Sequence, residues 1–214
     1  AAPAPPVRRA AAGGEAAGDA RLLAIGASTG GTEAIREVLE QLPEDTPGTV
    51  IAQHIPAMFS RRFAERLDGC CPMRVCEAED GQPIRPGHAY VAPGGRHLVV
   101  GGGPGKYLCR LTDTPPVHRQ RPAVDVLFAS VARIAREHAI GVVLTGMGAD
   151  GADGLLAMRR AGARTIAQDE ATSVVWGMPG SAVRAGAAEQ VLPLGRIAGA
   201  ITRGWGGARH PSAA

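Results

Sequence analysis

Three residues in this 214-residue chain combine the types that acyl transfer to a hydroxyl needs: Ser28, His54 and Asp150. Ser28 lies in Gly26-Ala27-Ser28-Thr29-Gly30-Gly31, a G-x-S-x-G pattern directly after the apolar run LLAIGA. The pattern suits a nucleophile on a sharp strand-to-helix turn, where small neighbours let a carbonyl approach and the helix N-terminus faces developing negative charge. A serine hydroxyl attacks poorly until an imidazole takes its proton, and that imidazole needs a carboxylate on its other nitrogen. His54 closes the run TVIAQH, and Asp150 lies in TGMGADG just past GVVLT. Each alone reads more often as a structural residue: a helix cap for Ser28 and Asp150, a hydrogen-bonded strand end for His54. The order Ser, His, Asp also differs from the Ser, Asp, His order of α/β-hydrolases, so the motif does not assign that fold.

The elements that must position these residues follow from hydrophobic periodicity. Strand 22–27, helix 31–42, strand 49–54 and helix 57–67 alternate, and helix 123–138, strand 141–146, helix 152–162 and strand 164–169 resume the pattern. Alternation of this kind predicts an α/β fold: a doubly wound, mostly parallel sheet with helices on both faces. Between the two blocks, RVCEA, AYVAP, HLVVGG and YLCRL are short and separated by Pro-Gly and Gly-rich turns, which predicts an antiparallel edge or hairpin region. In such a sheet the ligand crevice lies outside the carboxyl ends of the strands, where Ser28, His54 and Asp150 all fall.

Composition narrows the alternatives. Lys plus Arg number 23 against 20 Asp plus Glu, scattered along the chain, so no basic face for nucleic acid is evident. Aromatic residues are 3%, which leaves the core to Ala, Val, Leu and Ile. Apolar runs are strand-sized, too short for membrane insertion. Cys70, Cys71, Cys76 and Cys109 lack CxxC spacing and read as free thiols of a reducing cytoplasm. His88, His97, His118 and His138 have no paired ligand spacing, so polar surface or loop roles are expected and no metal. Met147 and Met178 stand in Gly-rich stretches rather than on apparent helix faces. A dinucleotide fingerprint would need Gly at Ser28, and GGGPGKY fails the P-loop pattern at Val100 and Tyr107. Residues 1–20, nearly all Ala, Pro, Gly and charge, read as a flexible linker, the chain from Arg21 on as one folded domain and 204–214 as a tail.

Six stretches carry a resemblance: AIGASTGG, AQHIPAMFS, IRPGHAYVAPGGRHL, RPAVDVLFASVA, GVVLTGMGADGADGLLAMRRAG and AQDEATSVVWGMPGSAV. Together they resemble the catalytic domain of the chemotaxis protein-glutamate methylesterases, the CheB family, over about residues 21–203. The resemblance implies Ser28, His54 and Asp150 as a catalytic triad, with Thr29 and Met147 at the substrate or oxyanion and Trp176 and Met178 close by. It implies hydrolysis of glutamate γ-methyl esters on the cytoplasmic domains of chemoreceptors, with deamidation of receptor glutamines in many members. No cofactor is implied, the location is cytoplasmic, and most members carry a phospho-accepting receiver domain ahead of the catalytic one. The competing readings are a non-catalytic receptor-binding module on the same fold and a Rossmann-type dinucleotide binder.

Overall fold

A computed structural model describes residues 20–206. Positions 1–19 of the expected linker and 207–214 of the expected tail lie outside the described residues. In chain order the elements are β1 (Leu22–Ala27), α1 (Gly31–Glu40), β2 (Thr49–Gln53), α2 (Ala57–Cys70), β3 (Arg74–Glu77), β4 (His88–Val91), β5 (His97–Gly103) and β6 (Lys106–Thr112). There follow α3 (Val124–Ile134), a 3-10 turn (Arg136–His138), β7 (Ala139–Val143), α4 (Ala152–Arg160), β8 (Arg164–Gln168), α5 (Gly177–Arg184), β9 (Gln190–Leu192) and α6 (Leu194–Gly206).

Seven strands form one sheet in the order β3-β4-β2-β1-β7-β8-β9, every neighbouring pair parallel. β1 therefore has β2 on one side and β7 on the other, the point at which the winding reverses. β1, β2 and β7 are buried from end to end, as strands covered on both faces must be. Successive side chains of β1 enter opposite cores. Leu22 and Ala24 pack with Leu127 and Phe128 of α3, Leu155 and Met158 of α4, and Ala182 of α5. Leu23, Ile25 and Ala27 pack with Ile35 and Leu39 of α1, Phe63 and Leu67 of α2, and Ile197 and Ile201 of α6.

The middle of the chain divides differently from its sequence pattern. Only β5 and β6 form the antiparallel hairpin, which lies against α3 through Leu98, Val100 and Cys109. β3 and β4 instead extend the parallel sheet at one edge. Short strands broken by Pro-Gly turns look alike whether or not a neighbour pairs with them in parallel, because the pairing partner is remote in sequence. The helix expected over 123–138 ends at Ile134 and tightens into the 3-10 turn. Met178 is buried on α5 rather than in a loop. His97 is wholly buried: its Nδ1 accepts the Ala123 N–H at 3.1 Å and its Nε2 faces the Pro115 carbonyl at 3.1 Å, so a surface role does not hold for it. α5, β9 and α6 complete the fold past the last element read from periodicity.

Candidate active site

At the carboxyl ends of β1, β2 and β7 the backbone ladder runs straight into the candidate residues. The His54 N–H donates to the Ala27 carbonyl at 3.1 Å and the Ser28 N–H to the Thr145 carbonyl at 3.0 Å. Ser28 is thereby held between the loops that carry His54 and Asp150. The chain then turns sharply. The Ser28 carbonyl accepts the Gly31 N–H at 2.8 Å, and Gly30 has φ 77° and ψ −5°, the left-handed third position of a type II turn. α1 begins at Gly31, so its N-terminal end opens beside the serine.

The three side chains meet in a line. His54 Nδ1 is 3.0 Å from Ser28 Oγ, and His54 Nε2 is 2.6 Å from Asp150 Oδ2. The carboxylate thus fixes the tautomer that carries its proton on Nε2, leaving Nδ1 free to accept the serine proton. The two ring nitrogens serve in the opposite sense from the serine-protease arrangement, where Nε2 faces the serine. His54 is 7% exposed and Asp150 2%, so little water competes for these bonds.

Asp150 is further held by α3. Its Oδ2 also accepts the Val124 N–H at 2.7 Å and its Oδ1 accepts the Asp125 N–H at 2.8 Å. Burial alone would raise the Asp150 carboxyl. The hydrogen bonds from His54 and from the Asp125 and Val124 backbone outweigh it, and the pKa lies below the ordinary value. An ionised carboxylate at a helix N-terminus is in favourable electrostatic surroundings.

Several positioning groups escaped the sequence reading. Gln53 is buried, and its Nε2 donates to the Ser28 carbonyl at 2.8 Å and the His54 carbonyl at 3.0 Å, tying the serine and histidine segments together. Thr145 Oγ1 donates to the Thr29 carbonyl at 3.0 Å and accepts the Val175 N–H at 3.0 Å. A polar residue at the end of a buried strand was the available signal for both. His118, expected as a loop residue, faces the buried Asp125 at 2.9 Å. His118, Asp125 and Asp150 present one polar atom each within 4.8 Å of one another, and three of the four carboxylate oxygens take part in the hydrogen bonds just described.

Thr29 and Met147 are exposed beside Ser28. Within the described residues neither of their backbone N–H groups donates a hydrogen bond. The loop of Met147 is drawn in by Gly146, where an added Cβ would stand 2.7 Å from Ser28 Cβ and collide with Met178 Sδ. Gly146 pairs with the 175–178 segment: its N–H donates to the Val175 carbonyl at 3.0 Å and its carbonyl accepts the Met178 N–H at 2.8 Å. Trp176 is anchored on the same segment through its Nε1, 3.2 Å from the Gln168 carbonyl. Burial pushes the Cys71 and Cys109 thiols up to about 12 and raises Cys76, so these cysteines are poor nucleophiles.

The sequence profile described as CheB methylesterase matches residues 23–201, nearly all of the described chain. The chain belongs to the CheB methylesterase family. A protein-glutamate methylesterase/protein-glutamine glutaminase of Xanthomonas euvesicatoria is 59% identical over 178 residues, which cover 83% of this chain and 50% of that protein. One from Hahella chejuensis is 58% identical over 183 residues, covering 86% and 51%. The chain spans about half the length of the curated relatives it matches. The crystal structure of the Thermotoga maritima CheB methylesterase catalytic domain superposes with a TM-score of 0.83 at 38% identity, covering 86% of this chain and 97% of that one. The family therefore shares the fold that carries this constellation. No described helix is long and apolar enough to cross a membrane.

Proposed function

We propose that this chain hydrolyses glutamate γ-methyl esters on the cytoplasmic domains of bacterial chemoreceptors, with Ser28 as nucleophile, His54 as general base and acid, and Asp150 as the carboxylate that orients it. The observation that carries the reading is the unbroken line Ser28 Oγ, His54 Nδ1, His54 Nε2, Asp150 Oδ2 at the crevice end of the sheet. Ser28 Oγ attacks the ester carbonyl as its proton passes to His54 Nδ1. The tetrahedral oxyanion takes hydrogen bonds from the Thr29 and Met147 N–H groups. The C–O bond to the methoxy group breaks, and His54 returns its proton to give methanol and an acyl-serine. Water, deprotonated by the same nitrogen, attacks the acyl-serine and releases the glutamate carboxylate and free Ser28. With a glutamine side chain the same steps release ammonia, as the glutaminase in the relatives' names suggests.

A protein substrate accounts for the exposed apolar side chains. Of the five large ones among the described residues, Met58 and Phe59 open the helix that follows His54, Met147 follows Gly146, and Val174 lies against Gly30. Residues 1–20 act as a linker outside the catalytic domain, and a receiver domain in the parent protein governs access to the crevice. The deciding experiment measures methanol release from methylated receptor by this chain and by its Ser28→Ala variant. Equal release by the two, both folded, would rule the mechanism out.

A further inference from the structure

Asp125 is not in the triad, yet its buried carboxylate sits beside that of Asp150. Its side chain is 11% exposed. One oxygen accepts the Gly154 N–H, in the first turn of α4, at 2.7 Å, and the other faces His118 Nε2 at 2.9 Å. Its own backbone N–H is one of the two from α3 that bind Asp150. The two carboxylates therefore occupy adjoining helix N-termini, and Asp150 stands between Asp125 and the His54 ring.

The partner of Asp125 is aimed with some care. Val117 and Gln120 exchange both backbone hydrogen bonds, at 3.1 and 2.8 Å, around His118 and Arg119, whose φ angles are 50° and 62°. Such a turn ordinarily takes Gly or Asn, and two side-chain-bearing residues held in the left-handed region are strained. The turn brings the His118 ring against a carboxylate that burial and the charge of Asp150 raise in pKa, while the Gly154 N–H and His118 act to lower it. The other charged groups around the pair are otherwise placed. Asp153 on α4 and Arg119 on the turn are exposed, Arg121 donates to the Asp113 and Thr114 carbonyls, and His97 is bonded to Ala123 and Pro115.

We propose that Asp125 is a positioning residue whose negative charge, held against His118, acts through Asp150 to favour the protonated form of His54 during catalysis. The inference rests on the triad reading given above. Charge counting sets the sign. With His118 neutral or protonated, the Asp125–His118 pair carries a net charge of minus one or zero, and an Asn at 125 makes it zero or plus one. In either state Asp125→Asn leaves the back of Asp150 one unit more positive, so the His54 imidazolium forms less readily. Asn keeps an acceptor for the Gly154 N–H and leaves the backbone N–H on Asp150 in place.

The test is the pH dependence of kcat/KM for ester hydrolysis in the parent chain and Asp125→Asn, alongside NMR titration of the His54 ring in the Ser28→Ala background with and without Asp125→Asn. Both midpoints should fall by roughly half a unit to one unit, as expected for removal of one charge at this range in partly screened protein. kcat should drop severalfold with KM little changed. A thermal midpoint that moves while both pH midpoints stay put makes Asp125 a purely structural residue and overturns the inference. Should Asn at 125 not fold, Asp125→Ser, which the first turn of a helix tolerates, carries the same comparison. The triad reading fails separately: it falls if Ser28→Ala keeps its activity, whereas the ring titration reports on Asp125 regardless.

Discussion

Asp150 and Asp125 cap each other's helices: Asp150, two residues before α4, binds the first N–H groups of α3, while Asp125, in the first turn of α3, binds the Gly154 N–H of α4. Each helix therefore fixes the other's carboxylate. The carboxylate that faces His54 is anchored by backbone at both oxygens.

Ser28→Ala should lose on the order of 10⁴-fold or more in kcat/KM, the scale of a triad nucleophile, because the covalent route disappears. The half-buried hydroxyl contributes little packing, so the thermal midpoint should stay close to that of the parent. Methanol release and a melting curve on the same samples check both halves.

Catalysis should require His54 in its neutral form, so kcat/KM is expected to rise with pH as the ring loses its proton. If His54→Gln, folded and with chemistry rate-limiting, keeps the parent rate, His54 is not the base.

The lowered pKa of Asp150 makes it a source of pH-dependent stability. A carboxyl depressed on folding contributes stability that is whole above its unfolded value of about 3.9 and is lost as pH falls through the lower folded value. Asp150→Asn removes that contribution. Melting temperatures taken below about pH 4 should therefore fall less steeply in Asp150→Asn than in the parent, while hydrolysis at neutral pH drops by several orders of magnitude.

Gln53→Met leaves the His54 carbonyl without its donor and the Ser28 carbonyl with the Gly31 N–H alone. A cost of about 1 to 3 kcal/mol in stability is expected for the buried groups left short. Because the two reacting segments are no longer tied, kcat should fall by roughly 10-fold or more, with KM less affected. Denaturant unfolding and steady-state kinetics separate the two effects.

Val174→Ser and Phe59→Ser alter exposed apolar side chains at the crevice end without touching the triad. Each should raise KM for methylated receptor while leaving hydrolysis of a small soluble ester unchanged. An equal effect on both substrates would show that these side chains serve the chemistry rather than the docking of a protein.

Much of this arrangement was already decided by the amino-acid sequence. Fully apolar runs followed by helical periodicity dictate parallel strands with crossover helices, because a strand buried on both faces admits no polar side and the crossover must cover it. The same logic places Ser28, His54 and Asp150 at strand carboxyl ends. The glycines around Ser28 announced a tight turn, and Gly30 takes the left-handed conformation that such a turn demands.

The tertiary structure decided what depends on partners remote in the chain. β3 and β4 joined the parallel sheet because strand pairing is set by neighbours that short apolar runs do not encode. Gln53, Thr145 and Asp125 look ordinary in sequence. Their roles arise where buried backbone carbonyls and N–H groups from other elements must be satisfied in the absence of water. His97 and His118 show the same limit: one is wholly buried behind α3 and the other faces a buried carboxylate. The sequence specified which side chains could react and at which ends of which strands. Only folding settled the choice of ring nitrogen toward Ser28 and the pairing of two aspartates across two helix ends, since both are set by hydrogen bonds between residues 25 to 96 positions apart.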